Sequence, residues 1–295
     1  MIQRQLGPNG LFVGAIGLGG MPMSITRERP AEADSVALLV RAADLGVTLW
    51  DTADAYCLDH TEIGHNERLF GKALLKLPPA VRSTIVVATK GGNTRPDGEW
   101  VHDGRPEHIR SAVDASLRAL GVDSINLYQL HRVDENVPFA DTVGAFAEAR
   151  KAGKVKFVGL SNVTPAQIEE ALKIVPIASV QNRLSPIDLS AESDGVLDKC
   201  REHGIAFLPY SPLGGMWGGA KEIGKQGELE AVSNEVKASA QQVVLAWLLS
   251  KYDRLIPIPG VSRVSSVENS AGAAFVLLNI SQIARLDKSF HSEEQ

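Results

Sequence analysis

Short apolar runs of three to six residues recur along the chain, separated by longer stretches with apolar residues at helical spacing. Each run is apolar almost throughout, which is typical of a strand buried on both faces. The runs recur about every 35 residues, enough for a strand, a loop, a helix and a return. This alternation predicts eight parallel strands: Ala15–Leu18, Thr48–Asp51, Ile85–Thr89, Ile125–Leu130, Phe157–Leu160, Ser179–Asn182, Ala206–Pro209 and Leu255–Pro257.

Start and stop signals bound the helices between these strands. Pro106 suits a first helical turn, and Thr164 with Gln167 forms a capping-box pattern. Gly153 and Gly204 stand just past the ends of two helical patterns. The predicted helices are Glu32–Leu45, Asn66–Leu75, Pro106–Leu120, Phe139–Ala152, Pro165–Lys173, Ser193–His203, Leu229–Lys237 and Ala240–Lys251, followed by a helix-rich tail.

A β-hairpin is predicted at the amino terminus, because Ile2–Leu6 and Leu11–Val13 flank the turn segment GPNG at 7–10. The fold class is therefore α/β: one (β/α)8 TIM barrel domain over residues 1–295, with an N-terminal β-hairpin and a C-terminal helical tail. A doubly wound open sheet is the alternative. Its dinucleotide fingerprint is incomplete, because Pro22 stands where the third glycine is required.

Composition and charge restrict the function classes. Hydrophobic residues make up 44% of the chain and charged residues 22%, both typical of soluble globular proteins. A net charge of -5 and a pI of about 5.8 argue against nucleic acid as a partner. The longest apolar run, Val243–Leu249, is too short to span a membrane. Cys57 and Cys200 form no CxxC pair, so we expect a cytoplasmic protein; its oligomeric state stays open.

Four side chains with acid–base chemistry fall at or just after predicted strand ends. Asp51 ends the second strand, Lys90 and His131 follow the third and fourth, and Tyr56 lies in the loop after the second. The carboxyl ends of barrel strands all open onto one face, so these residues are expected to converge there. A phenol beside a buried ammonium is a good proton donor, because the positive charge favours the phenolate and lowers the phenol's pKa.

Seven short segments stand in a fixed order on these strands and loops. They are GVTLWDTADAY (46–56), ATK (88–90), LHR (130–132), VKFVGLSN (155–162), QN (181–182), YSPLG (210–214) and IPGVS (258–262). Together they resemble the aldo-keto reductases over essentially the whole chain. The resemblance implies NADPH/NADP+ as the cofactor across the mouth of the barrel, and hydride transfer between it and a small-molecule carbonyl or alcohol.

The resemblance also implies roles for the four strand-end residues. Tyr56 protonates the carbonyl oxygen, Lys90 tunes Tyr56, and Asp51 pairs with Lys90. His131 donates a hydrogen bond that orients the carbonyl. Donors of this kind lower the barrier because they point at the oxygen on which negative charge develops.

By the same resemblance, the nicotinamide end of the cofactor is bound after the fifth, sixth and seventh strands. Ser161, Asn162 and Gln181 bind its carboxamide, for which hydroxyl and amide groups are suitable partners. Tyr210 stacks on the nicotinamide ring. The pyrophosphate takes backbone donors from a loop of four residues: Ser211, Pro212, Leu213 and Gly214.

The adenosine end of the cofactor is assigned to the segment after the eighth strand. The resemblance places the 2′-phosphate against Gly260, Ser262 and Arg263, a guanidinium and a hydroxyl being apt for a phosphate. Glu268 and Asn269 stand about where the family contacts adenine, although the segment is slightly shorter here than the common family pattern.

Two regions beside the mouth depart from the family pattern or bear on the substrate. The stretch CLDHTEIGHN at 57–66 is longer than usual, and Cys57 replaces a common glycine. Its acids and histidines match no standard metal spacing, so we expect a polar or substrate-shaping loop without a metal. Residues expected to line an apolar substrate pocket are Met21, Met23, Cys57, Trp100 and Trp217.

Two other functions remain open at this stage. One is a cofactor-binding regulatory subunit of the same fold with little turnover, as in the channel-associated members of the family. The other is a barrel in which Lys90 forms a Schiff base, a chemistry that a strand-end lysine suits. The Schiff-base alternative does not explain the presence of Tyr56, His131 and the YSPLG segment.

Overall fold

The computed structural model describes residues 1–215, 223 and 227–291 of the chain. Its strands in chain order are β1 (Gln3–Gln5), β2 (Phe12–Gly14), β3 (Leu18–Gly19), β4 (Leu49–Asp51), β5 (Val86–Gly91), β6 (Asn93–Thr94), β7 (Val101–His102), β8 (Ile125–Leu130), β9 (Val155–Ser161), β10 (Ile177–Gln181) and β11 (Ala206–Phe207). Seven of them form one parallel sheet in the order β3, β4, β5, β8, β9, β10, β11. The strands follow one another in chain order, as in a β/α barrel.

The barrel is closed by the segment 254–261, which contains the predicted eighth strand Leu255–Pro257. Backbone hydrogen bonds join this segment to β11 on one side and to β3 on the other. They are Phe207 N–H to Arg254 O at 3.0 Å, Ile256 N–H to Phe207 O at 2.9 Å, Gly17 N–H to Pro257 O at 2.9 Å and Gly19 N–H to Pro259 O at 2.9 Å. Proline has no N–H group, so Pro257 and Pro259 prevent a regular ladder. The predicted (β/α)8 fold is confirmed, with an irregular eighth strand.

Closure also requires a close backbone approach at Gly19 and Gly260, which form a parallel bridge. A Cβ atom on Gly19 would lie 3.0 Å from the Ile258 carbonyl oxygen and 3.4 Å from the Gly260 Cα. Both neighbours are backbone atoms that cannot rotate away. Glycine is therefore needed where the first and last strands of the barrel meet.

The predicted N-terminal hairpin is confirmed, with β1 and β2 pairing in the register Gln3–Gly14. Its side chains Leu6 and Val13 are fully buried in the inner core cluster with Leu49 and Leu127. Arg4 donates to three backbone carbonyls near the start of the eighth strand. The hairpin therefore covers the amino-terminal end of the barrel and leaves the carboxyl-terminal end open.

Helices surround the sheet, and most begin and end within two residues of the predicted bounds. The predicted helix Ser193–His203 is in fact two, because Gly195 has a positive φ of 83° between them. None of the described helices is long and apolar enough to cross a membrane. The α-helices of the described residues are Glu32–Asp44, His65–Lys76, Pro79–Arg82, Pro106–Leu120, Phe139–Lys151, Pro165–Leu172, Ser190–Ser193, Val196–His203, Gly227–Val236, Ala240–Lys251, Val264–Gly272 and Ile280–His291.

A second hairpin stands above the open end of the barrel and was not expected from the sequence. Strands β6 and β7 pair antiparallel just after β5, with Asn93 opposite His102. Two-residue strands are too short to show a periodic pattern. This hairpin places Asn93, Arg95 and Trp100 beside the candidate site.

Candidate active site

The four strand-end residues come together at the carboxyl-terminal mouth of the barrel. Asp51 ends β4, Lys90 is the next-to-last residue of β5, and His131 follows β8. The Lys90 ammonium lies 2.5 Å from Asp51 Oδ1, 2.9 Å from the Thr52 carbonyl oxygen and 3.0 Å from Tyr56 Oη. The ammonium thus uses its three N–H donors on three oxygens from one neighbouring strand and loop.

Lys90 is completely buried and its charge is balanced by the buried carboxylate of Asp51. Burial alone would lower the pKa of Lys90, but Asp51 and then Tyr56 outweigh it, so the pKa is raised. The side chain is therefore held as an ammonium. A protonated amine is not a nucleophile, which argues against the Schiff-base alternative.

Tyr56 is a buried phenol with an exposed fraction of 6%, and its oxygen accepts a hydrogen bond from Lys90. Burial raises the pKa of Tyr56, and the positive charge of Lys90 opposes that rise. The expected lowering by Lys90 is therefore present, but burial exceeds it and the net shift is upward. The phenol is consequently protonated at neutral pH, as a proton donor must be.

His131 lies against the phenol, with its ring edge-to-face to Tyr56 at 5.6 Å and to Trp100 at 5.8 Å between centroids. Burial, and then the positive charges of Lys90, Arg132 and His102, lower the pKa of His131 well below its usual value. The imidazole is therefore neutral, with one N–H available as a donor. Its Nδ1 is enclosed and has no partner within the described part of the chain.

A buried amide network behind the site holds Asp51 and was missed by sequence reasoning. Gln181 Nε2 donates to Asp51 Oδ2 at 2.8 Å, and Gln129 Nε2 donates to the same oxygen at 3.2 Å. Ser179 Oγ donates to Gln129 Oε1 at 3.3 Å. Gln129 stands inside the apolar strand INLYQL, which was the available signal, since a buried amide needs partners. The network fixes the carboxylate that faces Lys90.

A cavity of about 680 Å³ opens above these groups and reaches most of the predicted cofactor residues. This volume lies within the range of small-molecule sites. The cavity also reaches His102, Arg132 and Arg183, which the sequence analysis did not single out. The predicted residues that border it are Met21, Asp51, Tyr56, Trp100, His131, Ser161, Asn162, Gln181, Tyr210, Ser211, Pro212, Leu213, Gly214 and Gly260.

The residues predicted to bind the nicotinamide end form a connected group on one wall. Tyr210 Oη donates to Asn162 Oδ1 at 2.8 Å, and Asn162 Nδ2 lies 3.0 Å from Ser161 Oγ. Asn162 has a φ of 56° and Ser211 a φ of 50°, both in the left-handed region. Such backbone conformations in residues other than glycine concentrate at functional sites.

Four residues predicted to bind the adenosine end do not border the cavity. Glu268 is paired with Arg41, and Asn269 accepts a hydrogen bond from Ser239. Arg263 is exposed at the start of helix Val264–Gly272 and has no side-chain partner in the portion of the chain that the structure describes. The fourth, Ser262, is partly exposed beside it. A free guanidinium and a hydroxyl at a helix amino terminus form a suitable phosphate site.

Two residues predicted to line the substrate pocket lie elsewhere. Met23 and Cys57 are fully buried and do not reach the cavity. Asn66 donates to the Gly20 carbonyl oxygen and so fixes the backbone just before Met23. The Met23 side chain consequently packs in the core. Burial raises the pKa of the Cys57 thiol to about 11, so it is not a reactive thiolate. Trp217 lies outside the described residues.

Three of the four acids and histidines of the loop 57–66 have separate partners. Glu62 forms an ion pair with Arg29 at 2.7 Å, and Asp59 accepts the Thr61 N–H at 2.9 Å. His65 Nδ1 lies 2.9 Å from Ser24 Oγ. These contacts fix the conformation of the loop and attach it to the segment between β3 and helix Glu32–Asp44.

Comparison with known proteins identifies the family. The aldo/keto reductase family model matches residues 15–290. An uncharacterized oxidoreductase of Schizosaccharomyces pombe is 36% identical over 289 residues, covering 96% of this chain and 89% of that protein. Aldo-keto reductase yakc (NADP(+)) of the same yeast is 31% identical, covering 96% and 90%. An aldo-keto reductase from Bacillus halodurans in its holo form superposes with a TM-score of 0.79 at 27% identity, covering 98% and 96%.

The chain therefore belongs to the aldo/keto reductase family of oxidoreductases, which act on small-molecule substrates. The family resemblance inferred from seven segments is confirmed over nearly the full length.

Proposed function

We propose that this protein is an NADP(H)-dependent carbonyl reductase that also runs in the direction of alcohol oxidation. The observation that carries the proposal is the phenol of Tyr56, held 3.0 Å from a fully buried ammonium at the floor of an open cavity. A protonated phenol beside a fixed cation is suited to give a proton to a carbonyl oxygen and to remain as a stabilised phenolate.

The reduced nicotinamide, when bound, supplies the hydride. Tyr56 gives its proton to the carbonyl oxygen, and the phenolate left behind is stabilised by the ammonium of Lys90. Asp51 keeps Lys90 charged and in place, so the negative charge that develops on Tyr56 meets a preorganised cation. In alcohol oxidation the same phenolate takes the proton back.

His131 orients the carbonyl in this proposal. Its imidazole is neutral, because burial and nearby cations lower its pKa, so it can donate a hydrogen bond without adding a charge. The ring lies beside Tyr56, so one carbonyl oxygen can be reached by both donors. Trp100 and Met21 supply the apolar wall against which the rest of the substrate lies.

The cofactor would be held by two groups of residues. Ser161, Asn162, Gln181 and Tyr210 would contact the nicotinamide end, and the loop 211–214 would offer backbone donors to the pyrophosphate. Gly214 has a φ of 83°, which suits a loop that turns tightly around a phosphate.

Arg263 and Ser262 would bind the 2′-phosphate, which supports NADP(H) over NAD(H). Arg263 has no competing partner among the described residues. Glu268 and Asn269, which would contact the adenine, are paired here with Arg41 and Ser239. The yeast relative whose name carries NADP(+) supports the same preference.

Steady-state oxidation of NADPH with a panel of aldehydes and ketones tests the proposal. Saturable turnover with at least one carbonyl, absent without protein, is the expected result. NADPH binding without turnover on any carbonyl would favour the regulatory-subunit alternative. Failure to bind NADPH would overturn both.

A further inference from the structure

The cavity of the candidate active site carries basic side chains that neither the proposed chemistry nor the proposed cofactor contacts use. They are His102, Arg132 and Arg183. Among the described residues that border the cavity, Asp51 is the only carboxylate, and it is buried and paired with Lys90. The open part of the cavity therefore presents two guanidinium groups and an imidazole without a balancing anion.

Arg183 belongs to the cofactor side of the cavity. It comes just after β10, beside the residues proposed to contact the nicotinamide. Its guanidinium lies 5.6 Å from the centre of the Tyr210 ring and 3.6 Å from Asp188 Oδ2. A contact with an aromatic ring and an ion pair thus account for this side chain.

Arg132 and His102 lie on the substrate side, around the imidazole that is proposed to orient the carbonyl. Arg132 directly follows His131 after β8, and His102 is the last residue of β7, in the hairpin that carries Trp100. The charges of both side chains contribute to lowering the pKa of His131, which places them near its ring. Both are exposed, and the described part of the chain provides neither side chain with a hydrogen-bond or ion-pair partner.

The acidic residues nearest to this pair in sequence have other partners. Asp103 forms an ion pair with Arg105 at 2.6 Å, and Asp134 Oδ2 accepts the Gly104 N–H at 3.0 Å. Neither acid borders the cavity. An unpaired guanidinium beside a substrate cavity is suited to bind a carboxylate, because its parallel N–H groups match the two carboxylate oxygens.

An apolar surface lies beside the proton donor on the same side of the cavity. Trp100 is 43% exposed, and its ring lies edge-to-face to Tyr56 at 6.4 Å and to His131 at 5.8 Å between centroids. Met21 also borders the cavity. A molecule that reaches from Tyr56 past Trp100 to Arg132 is therefore expected to have an apolar body between its carbonyl group and a charged end.

We propose that the substrates of this protein are oxo acids, with a carbonyl group at one end and, at the other, a carboxylate that binds to Arg132 and His102. This inference rests on the proposed carbonyl reduction and names the substrate class for it. Arg132 supplies two parallel N–H donors and a permanent charge, and His102 supplies an N–H donor in either protonation state. A neutral carbonyl compound of the same size leaves Arg132 unpaired, so the site favours the acid.

Kinetic selectivity between matched substrates tests the proposal. The acids are para-formylbenzoate and succinic semialdehyde, each compared with its neutral methyl ester at saturating NADPH. The measured quantity is the ratio of kcat/KM for the acid to kcat/KM for the ester, which a general loss of activity leaves unchanged. Arg132→Met and His102→Gln remove the proposed contacts. Arg183→Met removes a charge from the cofactor side of the same cavity and is the matched control.

The wild-type protein is expected to favour the acid over its ester about tenfold or more in at least one of the pairs. Arg132→Met should lower this ratio about tenfold, chiefly through a higher KM for the acid, and His102→Gln should lower it less. Arg183→Met should leave the ratio unchanged. Equal kcat/KM for acid and ester, a ratio that survives Arg132→Met, or an equal fall in Arg183→Met would overturn the proposal.

Binding measurements separate a failure of this proposal from a failure of the proposed function. Calorimetric titration of the NADP+-loaded protein with para-(hydroxymethyl)benzoate, and with its methyl ester, requires no turnover. If no carbonyl compound is reduced but the acid binds about tenfold more weakly to Arg132→Met than to wild type, the carboxylate site stands without the proposed reaction. Equal binding of the acid to both proteins would place its carboxylate against Tyr56 and His131, and that result or an absence of binding would overturn the site.

Discussion

At the scale of single residues, the site depends on the buried ammonium of Lys90, whose position is fixed by the groups that it contacts. Lys90 contacts Asp51, the Thr52 carbonyl and Tyr56, and Asp51 is held in turn by Gln129 and Gln181. Breaking a buried ion pair by removing one partner costs about 3–5 kcal/mol, because it leaves the other charge uncompensated. The same contact therefore contributes to stability and to the acidity of the phenol.

Lys90→Met should reduce turnover by about a hundredfold or more, since Tyr56 loses the cation that opposes the effect of burial. The pKa seen in the pH profile of the remaining alcohol oxidation should move upward. The double variant D51N/K90M removes the uncompensated carboxylate and so separates loss of the cation from loss of folding. An unmoved pH profile in either variant would show that Lys90 and Tyr56 are not coupled.

Arg263→Ala should weaken NADPH binding about tenfold or more and leave NADH binding nearly unchanged, because NADPH alone carries the 2′-phosphate. Arg118→Ala, an exposed arginine on helix Pro106–Leu120, is the matched control. Fluorescence titrations with both cofactors measure the effect. Equal weakening of the two would assign Arg263 to a phosphate that both cofactors share.

Sequence reasoning found the strand-end residues because the barrel topology alone brings them together. Asp51, Lys90 and His131 are far apart in the chain, but each follows a recognisable apolar run. Residues whose position depends on tertiary packing were not found. Asn93 and Arg95 lie on strands or turns too short to show a pattern, and Met23 turns inward because Asn66 fixes its turn.

At the scale of elements, the apolar runs predicted the positions of the middle strands of the barrel well. The first and last strands were predicted least well. Strand β3 has two regular residues, and the eighth segment is interrupted by Pro257 and Pro259. The barrel closes where the backbones of Gly19 and Gly260 lie close together. The pattern of apolar residues along the sequence carries no information about such a contact.

Gly19→Ala should destabilise the protein by about 1–3 kcal/mol, because the new Cβ would press on backbone atoms of the closing segment. Gly144→Ala is the matched control: it lies in helix Phe139–Lys151 with no atom near its Cβ position, and should stabilise by about 0.4–1 kcal/mol. Urea denaturation of both variants measures the difference. Equal effects of the two substitutions would mean that closure at Gly19 is not tight.

At the scale of the whole molecule, the two ends of the barrel differ in structure: one is closed and the other is open. The N-terminal hairpin buries Leu6 and Val13 at one end, and the loops at the other end surround the cavity of the candidate site. Behind the candidate site two carboxyl groups, Asp54 and Glu67, are buried close together. Burial raises the pKa of Glu67 to about 7, while Thr89 donates to it at 2.6 Å.

This carboxyl pair should make global stability pH-dependent. A carboxyl whose pKa rises from 4.5 unfolded to about 7 folded favours folding below pH 4.5 and loses that contribution as pH rises to 7. Glu67→Gln removes the titration of Glu67 but not that of Asp54, so the variant should gain about 3 kcal/mol of stability relative to wild type between pH 4.5 and 8. Urea denaturation of wild type and variant at both pH values measures the two free energies of unfolding. If the variant differs from wild type by the same amount at both pH values, the pKa of Glu67 is not raised.

The Tyr56→Phe variant tests whether Tyr56 is the proton donor of the proposed reaction. The substitution removes one hydroxyl from a packed ring, and Tyr252→Phe removes a hydroxyl far from the cavity as the matched control. Carbonyl reduction should fall by about a hundredfold to ten-thousandfold in Tyr56→Phe, with NADPH affinity retained, and should be unchanged in Tyr252→Phe. Turnover near the wild-type rate in Tyr56→Phe would show that Tyr56 is not the proton donor.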